Sequence, residues 1–157
     1  MKKLILPAIL LLLAGCDYEV PLGQTPAAPA DPALSGTWAG QLTDEKPVSM
    51  EIKISGTDYL VSYTVGSDTL TFNGFEVKAN DLNLIQLAMK DNEKTLYSFF
   101  KYSLTPEGLS VYRLNPEVVS AKCQTAEELL KDINLHRQNP FLFTEPLKFT
   151  RANSGKL

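Results

Sequence analysis

Between Ser35 and Leu114 apolar and polar residues alternate with a period of two, and Gly, Asn, Asp and Pro interrupt the alternation at short intervals. This is the pattern of antiparallel strands that turn one face to a core and the other to water. Val48, Met50, Ile52 and Ile54 alternate with Ser49, Glu51, Lys53 and Ser55; Gly56-Thr57-Asp58 then predicts a turn, and Tyr59, Val61, Tyr63 and Val65 carry the next inward face. After Gly66-Ser67-Asp68 the segment Leu70-Thr71-Phe72 faces Phe75-Glu76-Val77 across Asn73-Gly74, a pair suited to a type I′ hairpin turn. That hairpin would set Phe72 opposite Phe75 and Leu70 opposite Val77 on one face. Leu82 to Met89 alternates less, as in a strand covered on both sides, and Leu96 to Leu104 and Leu109 to Leu114 follow. With Gly36 to Leu42 at the start, about eight short strands form an up-and-down meander, which must close into a barrel or cover its edges.

The pattern changes after Leu114. Asn115-Pro116 predicts a short helix, since Asn can cap and Pro suits the first helical position. Thr125 with Glu128 forms a capping box for a second helix carrying Ala126, Leu129, Leu130 and Ile133 on one stripe, which Asn139-Pro140 ends. Phe141 to Phe143 is expected on the barrel end. Leu147, Phe149 and Arg151 read as a last short strand. The expected class is therefore mainly β: an antiparallel meander closing into a barrel over residues 35–151, with a C-terminal helical segment and a disordered tail at 152–157.

The N-terminus reads differently. Lys2 and Lys3 precede an apolar run from Leu4 to Leu13, with small Ala14 and Gly15 behind it, the layout of a signal peptide over residues 1–15. About eleven apolar residues are too few to cross a bilayer, which takes about 20. Leu13-Ala14-Gly15-Cys16 resembles the lipobox of bacterial lipoproteins, in which the cysteine thiol is diacylated and the preceding peptide removed. That resemblance implies lipidation of Cys16 and anchorage in the bacterial cell envelope, facing the periplasm. Two or more chains anchor stably where one does so only marginally. Asp17 after the cysteine resembles an inner-membrane retention signal, with the outer membrane as the alternative. Pro21, Pro26, Pro29 and Pro32, spaced by small and polar residues, make 16–34 read as an extended tether reaching up to about 50 Å.

Charge and chemistry then narrow the function. The net charge of −3 becomes −5 when Lys2 and Lys3 leave with residues 1–15, 13 basic side chains against 18 acidic. Nucleic acid, which needs clustered Lys and Arg, is not an expected partner. With Cys16 lipidated only Cys123 remains, so no internal disulfide forms; Cys123 is either buried or available to another chain. Cys123 with His136 could suggest a nucleophile and base, and Asp44-Glu45 and Glu127-Glu128 are paired acids, but one pair falls in a turn and the other in a helix's first turn. One His and one free Cys make no metal site, and no glycine-rich phosphate loop is present. The reading is a non-catalytic protein with no cofactor.

Gly36-Thr37-Trp38 resembles the Gly-x-Trp signature of lipocalin-like barrels. In that family the Trp closes one barrel end and a late-strand Arg packs over its ring. The resemblance implies Arg151 in that role, with Arg113 second. The segment Cys16 to Leu22, the Gly-x-Trp after a proline-rich stretch and Asn139-Pro140 to Arg151 also resemble a group of small bacterial lipoproteins, which carries no known activity. Tyr59, Tyr63, Phe72, Phe75, Phe100 and Tyr102 either fill the barrel or line a hollow one. The expected function is accordingly a lipid-anchored binding module for a small apolar ligand, or else a module that docks or inhibits an envelope protein.

Overall fold

In the computed structural model, which describes residues 17–42 and 44–152, eight antiparallel strands follow one another around a closed barrel. They are β1 (Gly36–Gln41), β2 (Pro47–Ser55), β3 (Asp58–Val65), β4 (Asp68–Ala79), β5 (Leu82–Asp91), β6 (Lys94–Thr105), β7 (Gly108–Arg113) and β8 (Leu147–Arg151). β8 returns to β1 with Trp38 opposite Arg151 and Gly40 opposite Phe149, so the sheet has no free first or last strand. One helix, α1 (Ala126–Leu135), lies in the long β7–β8 connection. Cys16 and the expected signal peptide, residues 1–15, lie outside the described residues, as do 153–157 of the expected tail. No helix among the described residues is long and apolar enough to cross a membrane.

Five two-residue turns join β2 through β7. Four of them open on Gly56, Gly66, Asn80 or Asn92, with φ of 63, 60, 55 and 55°. That left-handed backbone matches the twist of the flanking strands. The Asn73-Gly74 hairpin does not form. Both residues lie inside β4, paired with Leu60 and Tyr59 on one side and Ala88 and Leu87 on the other. Here glycine serves close approach rather than a turn, because a Cβ on Gly74 would sit 2.0 Å from the Gln86 carbonyl oxygen. An unbroken strand puts Phe72 and Phe75 on opposite faces.

Two apolar cores result. The barrel lumen holds Trp38, Val48, Met50, Ile52, Tyr59, Val61, Phe72, Leu109 and Phe149. A second core lies outside the wall, where Val77, Leu84 and Phe99 meet Tyr18, Val119, Leu129, Ile133 and Leu142. β5 serves both, with Ile85, Leu87 and Met89 inward and Leu82 and Leu84 outward, which accounts for its weak alternation. Thr125 caps α1 by accepting from the Glu128 amide at 3.1 Å, while Glu128 accepts from Gln124. The short helix expected at Asn115-Pro116 is absent; Val118 and Val119 donate to the Asn115 carbonyl and the chain continues in turns. Phe141 to Phe143 does not cover a barrel end. Leu142 is buried in the outer core, Phe143 is half-buried beside it, and Phe141 points to solvent.

The largest departure from expectation is the stretch before β1. Residues 17–34 are not a free tether but a strap bound along the barrel. Tyr18 is 0% exposed, exchanges two backbone hydrogen bonds with Tyr97 and donates to the Val119 carbonyl. It adds to β6 where β7 has already ended, since β7 pairs only from Phe100 onward. Gln86 then accepts from the amides of Leu22 and Gly23 and donates to the Gly23 carbonyl, and Ala27 donates to the Glu76 carbonyl on β4. Proline does favour extended chain here, but an extended chain can satisfy unpaired sheet edges as readily as it can span water.

Candidate functional site: one closed end and one mouth

The strap ends by stoppering the barrel. A short 3-10 helix, Pro32–Leu34, carries Leu34 into the lumen at the end bounded by the Gly56, Asn80 and Pro106 turns. Asp31 is its cap, accepting from the Ala33 amide at 2.9 Å through Oδ1 and from the Tyr102 hydroxyl at 2.8 Å through Oδ2. The Asp31 amide donates to the Tyr59 hydroxyl at 2.6 Å, and that hydroxyl donates to Glu76 Oε1 at 3.1 Å. Burial pushes the Tyr59 hydroxyl up to about 12, despite the opposing hydrogen bond from Asp31. Burial, then the bond to Asp31 and its charge, raises Tyr102 as well. Both tyrosines are therefore neutral donors at any physiological pH.

Trp38 lies beneath this latch, 2% exposed, and donates from Nε1 to the Leu34 carbonyl at 2.9 Å. The Arg151 guanidinium lies 4.3 Å from the Trp38 ring centroid. It also donates to the carbonyls of Ser35 and Ala33, both at 2.8 Å. Gly36 makes this possible: a Cβ there would stand 2.6 Å from Arg151 Nη1, and its φ of 129° is one that side-chain-bearing residues rarely adopt. Arg113, the second candidate for the Trp, points elsewhere. Its guanidinium donates to Asp17 at 2.8 Å, as does the Ser98 hydroxyl at 2.7 Å.

The other end, bounded by the Gly66 and Asn92 turns, is built differently. Val48 and Val65 are buried there, but the inward-facing Leu42, Tyr63, Leu70, Leu87, Met89 and Leu147 are only half-buried. The Tyr63 hydroxyl is itself buried and has no hydrogen-bond partner among the described residues. Burial raises its pKa, so it stays a neutral donor.

The six aromatics named from sequence thus separate. Phe72 and Tyr63 belong to the lumen, and Phe100 shares that face as the partner of Ile85. Tyr59 and Tyr102 are committed to the latch rather than open to a ligand. Phe75 is a correction: it faces the outer core, because β4 runs straight through Asn73-Gly74. The half-buried aliphatic side chains at this end and Gln86 carry no signal in the alternation, since period two marks a face of a strand and not one of its ends. Asp44 pairs with Lys46 in the β1–β2 loop, and Glu127 and Glu128 lie in the first turn of α1. His136 Nδ1 stands 3.2 Å from Asp132 Oδ1. Cys123 is half-buried, and burial together with the charges of Asp132 and Glu128 raises its thiol pKa.

Outside the wall a cavity of about 350 Å3 is lined by Lys101, Tyr112, Arg137 and the 139–146 loop. Lys101 lies 4.3 Å from the Phe143 ring centroid and 4.9 Å from that of Tyr112. Fold and site together define a class: a closed antiparallel barrel stoppered at one end by its own N-terminal segment. No protein-family model, curated protein or solved structure matches the chain.

Proposed function

We propose that this chain is a lipid-anchored envelope lipoprotein whose lipocalin-like barrel is a non-catalytic binding module, taking one small apolar or amphipathic molecule through the unstoppered end. The anchor rests on Leu13-Ala14-Gly15-Cys16 behind a signal-peptide pattern. Facing the periplasm follows from that anchor, and Asp17 favours the inner membrane over the outer. The ligand reading rests on one observation above all: half-buried aliphatic side chains ring a mouth beside a buried Tyr63 hydroxyl with no partner among the described residues. Burying apolar surface contributes about 25 cal/mol per Å2, and a partnerless hydroxyl gains most from a ligand acceptor.

The test is titration of the unlipidated Cys16→Ser chain with a fluorescent fatty acid. One-to-one binding is expected, weakened at least about tenfold by Leu70→Glu or Met89→Glu, since a charge placed among apolar contacts is costly. Binding untouched by both changes would remove the mouth from the account. A second reading, docking of an envelope protein, is favoured by the outer cavity beside Lys101 and Phe143. Lys101→Glu would then abolish capture of that protein while leaving fatty-acid binding intact.

A further inference from the structure

The strap changes what a lipid on Cys16 would do, and the inference drawn here rests on the lipoprotein reading above. If residues 16–34 were a free leash the barrel could stand about 50 Å from the bilayer. Instead order begins at once: the Asp17 side chain is 6% exposed and bonded to Arg113 and Ser98, and Tyr18 is fully buried. A single residue spans at most about 3.6 Å. The bilayer surface must therefore come to the barrel face from which Asp17 emerges.

Hydrogen bonds identify that face. Arg113 holds Asp17, and Leu114 donates to the Phe99 carbonyl next to the Tyr18–Tyr97 pair. Asn115 donates through its amide to the Leu142 carbonyl and through Nδ2 to the Phe141 carbonyl. The 139–144 loop is thus bonded to the chain that holds the strap's first residue. On this loop Phe141 is 68% exposed, although its neighbours Pro140 and Leu142 line the outer cavity with Lys101 and Arg137. A phenyl ring left in water gains from burial at the apolar boundary of a membrane interface.

We propose that the barrel is clamped against the bilayer by the strap, with Phe141 inserted at the membrane interface beside the anchor. The orientation of the barrel over the membrane is then fixed rather than averaged over a leash.

The experiment uses the full mature lipidated chain in vesicles of phosphatidylcholine and phosphatidylglycerol. In a Cys123→Ser background, an environment-sensitive dye is attached through Phe141→Cys or, as the control, through Thr57→Cys at the closed end. The dye at 141 is expected to emit at shorter wavelength and resist aqueous iodide, while the dye at 57 remains water-like. A water-like dye at 141 on a chain whose mass includes the lipid would overturn the docking alone. A mass without lipid on Cys16 would overturn the lipoprotein reading and the docking with it. Equal shielding at both positions would also overturn the proposal, because it means no fixed orientation.

Discussion

The two ends of the barrel are made from the same strands and yet spend their polar groups in opposite ways. At the closed end every functional-looking side chain has a structural partner: Asp31 holds Tyr102 and Ala33, Tyr59 bridges Asp31 and Glu76, and Arg151 covers Trp38. At the mouth apolar side chains stay half-buried and Tyr63 keeps a buried hydroxyl without a partner among the described residues. Under the proposed function, one end serves stability and the other binding. A tyrosine in a barrel is therefore not evidence for a ligand until its hydroxyl has been accounted for.

The sharpest way to break this division is Trp38→Ala, which should lower stability by about 3–5 kcal/mol through lost burial and a cavity, read as a fall in urea midpoint. Asp31→Ala should cost about 1–3 kcal/mol, since it removes the cap and leaves the Tyr102 hydroxyl unpaired. Neither change should alter the affinity of a fatty acid by more than its effect on the folded fraction. Arg151→Met keeps much of the packing on Trp38 but loses the charge over the ring and both carbonyl contacts, for an expected loss of about 0.5–2 kcal/mol. Smallest of all, Tyr63→Phe should shift stability by under about 0.5 kcal/mol, because the hydroxyl it removes has no partner to lose, while weakening a ligand that carries an acceptor by about fivefold. A large stability loss from Tyr63→Phe would mean the mouth is structural too.

The latch also predicts a pH dependence. Tyr59 and Tyr102 have hydroxyl pKa values raised in the folded chain, Tyr59 to about 12. The folded state thus favours their protonated form, and the stability this contributes is complete below the unfolded value near 10 and is lost as pH rises from about 10 to 12. The urea midpoint should be flat from about pH 7 to 9 and then fall. Tyr102→Phe should make the alkaline fall shallower, whereas Tyr63→Phe should not remove the latch's share of it.

Strands and turns were legible because period-two alternation and residues tolerant of positive φ are local signals, as β2, β3 and the Gly56 and Gly66 turns show. The capping box of Thr125 and Glu128 is local as well. What misled was a local signal with two meanings: Asn73-Gly74 fits a turn, and it equally fits a strand that another backbone approaches closely. Taken as a turn, the pair would put Phe75 in the lumen, whereas the continuous strand puts it against the outer core. The strap was illegible for a different reason. Pro21 to Pro32 specify extended chain, but whether extended chain crosses water or lies on a barrel depends on distant groups such as Gln86, Tyr97 and Glu76. Only a family resemblance links Trp38 with Arg151 in the sequence, since they lie 113 positions apart and no periodicity connects them.

Most direct is chemical-shift mapping of the unlipidated chain with a saturating fatty acid. The methyl groups of Leu42, Leu70, Met89 and Leu147 should move most, with Leu34 and Leu109 at the closed end nearly still. Shifts centred instead on Leu82 and Leu142 beside the outer cavity, or no saturable shift at all, would contradict binding through the mouth.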